Sequence, residues 1–174
     1  MPDTKNKALF LDRDGVINVD CAYPHKPEQI RFTEGIFDLC AKAIEKKYLI
    51  VVVTNQAGIA KGKFKEEDVM ALHAWMGERF QERGTSIARF YYCPFHKDAT
   101  IEKYRVDSDC RKPKPGMILQ AVKDLDISLS QSLMVGDKES DRIKLPELKC
   151  ITIKSKYLPE GYDVESLKDV ERLL

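Results

Sequence analysis

Short, fully apolar runs alternate along the chain with longer segments whose apolar residues recur at helical spacing. The clearest run, residues 49–53, is apolar at every position, which is typical of a strand covered on both faces of a parallel sheet. Further runs at residues 8–11, 89–92, 133–135 and 150–153 predict four more strands. The order predicts an α/β fold: a doubly wound, Rossmann-like parallel sheet with helices on both faces.

Segments of helical spacing separate these strands and predict the connecting helices. We expect the first helix to take Thr33 as its N-cap and the third to carry Pro115 in its first turn. After the fourth strand we expect a helix that contains Asp141 and that Pro146 stops early. A last amphipathic helix should cover residues 163–174.

Length and charge narrow the functional classes. A chain of 174 residues without a linker predicts one domain, residues 1–174, with no separate cap domain. We also expect a monomer. A net charge of +1 gives no field that would recruit nucleic acid or an anionic membrane. The polar residues 1–7 predict no signal peptide, and the five scattered cysteines favour a reduced, cytoplasmic protein over a disulfide scaffold.

A pair of carboxylates follows the first predicted strand. Ligands bind beyond the carboxyl ends of the strands in an open parallel sheet, and Asp12 and Asp14 lie at such an end, with Gly15 allowing a sharp bend. One carboxylate can attack phosphorus and bind Mg²⁺, while the other can protonate the leaving oxygen and then activate water. A solvated Asp-x-Asp-Gly turn is also common, so this motif alone favours function only slightly.

Three more polar motifs stand at corresponding positions. A hydroxyl and amides follow the second strand, a proline-stiffened cationic loop leads into the third helix, and acids follow the fourth strand. Each motif alone also fits ordinary turn chemistry, but four in this order rarely arise by chance. The residues are Thr54, Asn55 and Gln56, then Arg111 and Lys112, then Asp137 and Asp141.

Together these motifs resemble the haloacid dehalogenase-like phosphatase superfamily. Within it, the chain resembles the D-glycero-D-manno-heptose 1,7-bisphosphate phosphatases and the related histidinol-phosphate phosphatases. The specific stretches are residues 9–15, 53–56, 58–62, 92–94, 110–117 and 135–138.

The resemblance implies a role for each motif. Asp12 would be the nucleophile and a Mg²⁺ ligand through its side chain, and Asp14 the general acid and base with its carbonyl on the metal. Asp137 would be the third metal ligand, and Thr54 and Lys112 would hold the phosphoryl group. The implied substrate contacts are Asp20, Tyr23, Thr54, Asn55, Gln56, Arg111, Lys112 and Lys138.

The long loop before the third helix departs from that family. The family often holds a structural zinc there through Cys-x-His and Cys-x-Cys pairs, but Phe95 and Ser108 stand at two of these positions. A degenerate set of Cys93, His96 and Cys110 remains. A closed structural zinc site needs four nitrogen or sulfur ligands, and Asp107 or Asp109 is the open alternative for the fourth position. We favour a loop without zinc, and the resemblance implies Mg²⁺ as the cofactor.

The motifs leave several substrates open. We favour the 7-phosphate of heptose 1,7-bisphosphate, in nucleotide-heptose and lipopolysaccharide core biosynthesis, because Arg111, Lys112 and Lys138 suit a sugar with two phosphates. The alternative is histidinol phosphate in histidine biosynthesis. A nucleic-acid 3′-phosphatase is opposed by the near-neutral charge, and a non-catalytic zinc-loop interaction module by the intact aspartates.

Overall fold

The computed structural model describes residues 4–174, so the first three residues of the polar N-terminal stretch lie outside it. Five strands form one parallel sheet in the order β3-β2-β1-β4-β5. The strands are β1 Lys7–Leu11, β2 Tyr48–Asn55, β3 Arg89–Cys93, β4 Leu133–Gly136 and β5 Lys149–Thr152. The helices are α1 Ile36–Glu45, α2 Ala57–Ala60, α3 Glu66–Glu82, α4 Gly116–Leu125 and α5 Leu167–Glu171. The five predicted strands are therefore confirmed.

The sheet is buried on both faces, as its apolar strands require. Along β1, Leu9 and Leu11 point into a cluster formed with α1, α3 and α5, whereas Phe10 points into a second cluster with α4. All three side chains are fully buried. This alternation confirms the doubly wound arrangement with helices on both faces.

The connection between β4 and β5 differs from the prediction. Among residues 137–148, all of which the structure describes, only the 3-10 turn Glu139–Asp141 is helical. The Asp141 carboxylate accepts hydrogen bonds from the backbone N–H groups of Asp137 and Lys138, at 3.0 and 3.1 Å, and this folds the chain back. Ile143 and Leu148 then pack into the α4 cluster directly. The predicted helix is wrong because Arg142 leaves helical geometry at ψ 81° and the Lys144 backbone N–H donates to the Pro113 carbonyl at 3.1 Å, so no helical ladder continues past the 3-10 turn.

Helix boundaries also differ in detail. The N-cap of α1 is Gly35, in the left-handed region at φ 84°, and not Thr33. Pro115 precedes the first residue of α4 as its N-cap residue and does not lie inside the first turn. α5 is shorter than the predicted segment, and none of the helices within residues 4–174 has the length and apolarity that a bilayer crossing requires.

The topology creates one crevice at the carboxyl edge of the sheet. β1 is hydrogen-bonded to β2 on one side and to β4 on the other, so the chain leaves these strands in opposite lateral directions. Ligands bind at such a switch point. Two long irregular connections, residues 12–35 and 94–115, border it and contain only 3-10 turns and isolated bridges.

Candidate active site

Three buried aspartates converge at the switch point. Asp12 directly follows β1, and its backbone N–H donates to the carbonyl of Val135 in β4 at 3.0 Å. Asp137 directly follows β4, and Asp141 closes the next turn. Carboxylate oxygens of the three aspartates lie within 4.8 Å of one another. Neighbouring parallel strands therefore bring together residues 125 positions apart in sequence.

Lys112 is the cation of this cluster. Its Nζ lies 2.8 Å from Oδ1 of Asp12 and 2.6 Å from Oδ1 of Asp141, and all three side chains are almost completely buried. Burial opposes the charge, but the two carboxylates hold the pKa of Lys112 above its ordinary value. Lys112 therefore stays charged beside the Asp12 carboxylate.

The loop carrying Lys112 is fixed by Asn55. The Lys112 backbone N–H donates to Oδ1 of Asn55 at 3.0 Å, and Nδ2 of Asn55 donates to the Lys112 carbonyl at 3.2 Å. Asn55 lines the cavity as the resemblance implies, but its amide is engaged by protein backbone. Its contribution in this structure is to position Lys112.

The carboxylate cluster fits a divalent cation. Oδ1 of Asp137 is buried without a hydrogen-bond partner among residues 4–174, whereas both oxygens of Asp141 accept hydrogen bonds. Burial and the neighbouring carboxylates raise the pKa of Asp137 to about 8 and, against the opposing pull of Lys112, that of Asp12 to about 6. A Cβ on Gly15 would overlap the Asp137 carboxylate, so only glycine permits this approach. Oxygen ligands of this kind suit Mg²⁺.

Asp14 is held by four donors. Nε and one terminal nitrogen of Arg13 donate to its two oxygens at 3.0 and 3.2 Å, and the amides of Asn18 and Gln56 donate at 3.0 Å each. Burial alone would raise the pKa of Asp14, but the Arg13 guanidinium and these hydrogen bonds hold it below its usual range. Gln56 also donates to Oγ1 of Thr54 at 2.9 Å, which connects two of the predicted site residues.

Arg13 is itself completely buried and depends on His73 of α3. A terminal nitrogen of Arg13 lies 3.1 Å from Nε2 of His73, which can accept the hydrogen bond only when the imidazole is neutral. Burial and the Arg13 charge lower the pKa of His73 to about 3. The residue separation of 60 leaves no local sequence signal for this contact.

We expect His73 to make folding sensitive to acid. In the unfolded chain, His73 binds a proton below its ordinary pKa of 6.5, whereas in the folded protein it stays neutral down to about pH 3. The contribution of His73 to the free energy of unfolding is therefore fully present above pH 6.5 and is lost as the pH is lowered. Between about pH 7 and pH 5, urea unfolding should show wild type losing about 2 kcal/mol relative to His73→Gln. Parallel pH profiles for the two proteins would contradict this.

An open cavity of about 430 Å³ lies above these groups. Every predicted substrate contact lines it: Asp20, Tyr23, Thr54, Asn55, Gln56, Arg111, Lys112 and Lys138. Asp12 and Asp14 form part of its floor. Lys156 and Tyr157 also line it and were missed, although they come within five residues of the end of β5 and so obey the strand-end rule.

Only two members of the degenerate zinc set, Cys93 and Cys110, are shown in contact within the described residues. Cys93 and Cys110 form a disulfide, and the Cys93, His96 and Cys110 side chains form no metal-sized group within the described chain. Nδ1 of His96 instead accepts a hydrogen bond from the Asp98 backbone N–H at 3.0 Å. The expectation of unpaired cysteines is therefore wrong for this pair, because the end of β3 and the loop before Lys112 bring the two sulfurs together.

Sequence comparisons place the chain among known phosphatases. A family model described as HAD-hydrolase-like matches residues 109–143. The chain is 49% identical over 134 residues to D-glycero-β-D-manno-heptose-1,7-bisphosphate 7-phosphatase of Vibrio cholerae, covering 77% of this chain and 72% of that protein. It is 51% identical over 137 residues to D-glycero-α-D-manno-heptose-1,7-bisphosphate 7-phosphatase of Burkholderia mallei, covering 79% and 72%.

Comparison with solved structures indicates the same family as the sequence comparisons. The fold matches D,D-heptose 1,7-bisphosphate phosphatase of B. bronchiseptica, solved with magnesium and phosphate, at a TM-score of 0.79 and 28% identity. That match covers 96% of this chain and 97% of the other. The chain therefore belongs to the haloacid dehalogenase-like phosphatase superfamily, in the branch that contains the heptose bisphosphate phosphatases, and is a phosphoric monoester hydrolase.

Proposed function

We propose that this chain is a Mg²⁺-dependent phosphatase that removes the 7-phosphate of D-glycero-D-manno-heptose 1,7-bisphosphate through an aspartyl-phosphate on Asp12. Its place would be the synthesis of nucleotide-activated heptose for lipopolysaccharide. The supporting observation is the buried group of Asp12, Lys112 and Asp137 beneath a cavity whose outer wall is cationic. The names of the similar proteins support the same substrate.

Asp12 is the proposed nucleophile. One of its oxygens is held by Lys112, which orients the carboxylate and offsets the negative charge of an arriving phosphate. An Asp12 oxygen forms a bond to phosphorus while the bond from phosphorus to the sugar oxygen breaks. The product is an acyl phosphate, and the released sugar oxygen needs a proton.

Asp14 is the proposed source of that proton. In its present position the Arg13 contacts favour the ionised form, which suits the activation of water in the second half of the reaction. Rotation away from Arg13 toward the leaving oxygen removes the contacts that lower its pKa, so the carboxyl can then carry a proton. Water deprotonated by Asp14 then attacks phosphorus, releasing phosphate and restoring Asp12.

The metal would be held by the Asp12 and Asp137 carboxylates and the Asp14 carbonyl. Bound there, Mg²⁺ would let an anionic carboxylate approach an anionic phosphate by neutralising both. Asp141 acts differently in this proposal, because its oxygens are taken by Lys112 and by two backbone N–H groups. It orients Lys112 and the turn after β4.

This division of roles predicts different metal affinities. Asp137→Asn should weaken Mg²⁺ binding by more than about 100-fold, because it removes a charged ligand, whereas Asp141→Asn should weaken it by about tenfold or less. The measurement is the rise in thermal unfolding midpoint as Mg²⁺ is titrated, which requires no turnover. An equal loss in the two variants, or the reverse order, would contradict the assignment.

The substrate is tested by phosphate release with Mg²⁺. The panel holds both anomers of heptose 1,7-bisphosphate, histidinol phosphate, fructose 1,6-bisphosphate and a 3′-phosphorylated oligonucleotide. We expect a heptose bisphosphate to give the highest kcat/KM. The amine of histidinol phosphate needs a carboxylate partner in the cavity. Asp20 is a poor candidate for that partner because Tyr157 and Lys156 already bind it. A higher kcat/KM for histidinol phosphate would refute the heptose assignment.

A further inference from the structure

The turn at residues 155–158, after β5, is built into the cavity wall. Oγ of Ser155 donates to the Asp137 carbonyl at 2.5 Å and accepts the backbone N–H groups of Tyr157 and Leu158 at 3.1 Å each. One hydroxyl therefore ties this turn to the residue that follows β4. The position of the turn relative to the aspartate cluster is fixed by these hydrogen bonds.

The same turn also contacts the loop after β1. The Tyr157 hydroxyl donates to Oδ2 of Asp20 at 2.5 Å, and Nζ of Lys156 lies 3.5 Å from that oxygen. Asp20 and Tyr157 are 137 residues apart and join two separate connections of the fold. Tyr157 thus positions Asp20 and the loop that carries it.

The outer part of the cavity carries excess positive charge. Arg111, Lys138 and Lys156 line it together with Asp20, and the other carboxylates that line the described cavity are Asp12, Asp14 and Asp141 on the floor. Within residues 4–174, Arg111 and Lys138 have no carboxylate within 4.0 Å. Nζ of Lys138 instead lies 4.5 Å from the centre of the Tyr157 ring. This region is suited to an anionic group distant from the reacting phosphate.

Lys156 can serve such an anion readily. Its side chain is 66% exposed and its contact with Asp20 is long, and exposed ion pairs of this kind contribute little. A phosphate dianion bearing two negative charges is a stronger partner than a carboxylate already hydrogen-bonded by Tyr157. The ammonium group can therefore leave Asp20 for a bound phosphate without unfolding the turn.

We propose that Lys156 and Tyr157 complete a subsite for the second phosphate of a bisphosphorylated substrate, Lys156 by direct contact and Tyr157 by positioning Asp20 and the Lys138 ammonium. This inference rests on the proposed function for the identity of the sugar, but the subsite requires only a substrate with a second phosphate. It makes the turn after β5 a determinant of specificity.

The test is the ratio of kcat/KM for a bisphosphate to that for the matching monophosphate. Two pairs are measured: heptose 1,7-bisphosphate with heptose 7-phosphate, and fructose 1,6-bisphosphate with fructose 6-phosphate. Lys156→Met should lower the ratio by about tenfold, through KM, and leave the monophosphate unchanged. Tyr157→Phe should lower it by about threefold, again in KM with kcat retained, because the ring remains but Asp20 loses its donor.

The matched control is Lys154→Met, which removes the same charge two residues from Lys156. The Lys154 side chain pairs with Glu165 and does not line the cavity. Equal ratios for Lys154→Met and Lys156→Met, or a wild-type enzyme that does not prefer bisphosphates, would overturn the subsite. A wild type that prefers fructose bisphosphate to heptose bisphosphate, with the ratio still dependent on Lys156, would refute the heptose assignment and support the subsite.

Discussion

Asp12→Asn is expected to yield a folded protein whose phosphate release falls by roughly 10⁴-fold or more, because the amide cannot act as the nucleophile. Folding should survive, since the asparagine oxygen can still accept the hydrogen bond from Lys112 and one of three mutually repelling carboxylates is removed. Activity is measured by phosphate release and folding by the urea midpoint at the same pH.

A matched control for Asp12→Asn is Asp109→Asn, an exposed acid on the loop that carries Lys112. It should change neither activity nor the urea midpoint appreciably. Retention of wild-type turnover by Asp12→Asn would show that another group attacks phosphorus. Loss of turnover together with unfolding would instead assign Asp12 a structural role.

Lys112→Met should have the second largest effect. The substitution leaves Asp12 and Asp141 facing each other in a buried site without their cation, which should destabilise the fold by about 3–5 kcal/mol. The remaining folded enzyme should lose about 10²- to 10³-fold in kcat, because the charge that offsets the transferring phosphoryl group is gone. Urea unfolding and kcat at saturating substrate measure the two effects separately.

Lys114→Met provides the comparison for Lys112→Met on the same loop. Lys114 is a partly exposed lysine paired with Asp107 outside the cluster, so neither stability nor kcat should change much. If Lys112→Met loses stability but keeps its kcat, Lys112 holds the loop and has no part in the reaction.

The sequence predicted the sheet and the floor of the site because both follow from local patterns. Apolar runs such as residues 49–53 predict strands that are buried on both faces. The rule that ligands bind beyond the carboxyl ends of strands then places Asp12 and Asp137 side by side. Each such signal lies within a few consecutive residues. The convergence of Lys112 on Asp12 also follows from the topology, although the loop between β3 and α4 is irregular.

What the sequence did not reveal depends on contacts between distant residues. Nothing near Arg13 indicates that it needs a neutral His73, and nothing near Asp20 indicates that Tyr157 binds it. The missing helix after β4 has the same origin, because the Lys144 backbone N–H donates to the carbonyl of Pro113 in a different loop. Such contacts become visible only when the elements are packed.

The most direct test of the account is detection of phosphate on Asp12. Asp14→Asn is mixed with Mg²⁺ and an aryl phosphate whose leaving group needs no proton, then quenched and reduced with borohydride, which converts an aspartyl phosphate to homoserine. Peptide mass spectrometry should find homoserine at position 12 only when substrate and Mg²⁺ were both present. Release of the aryl group without modification of Asp12 at any quench time, or with modification of another carboxylate, would contradict the account.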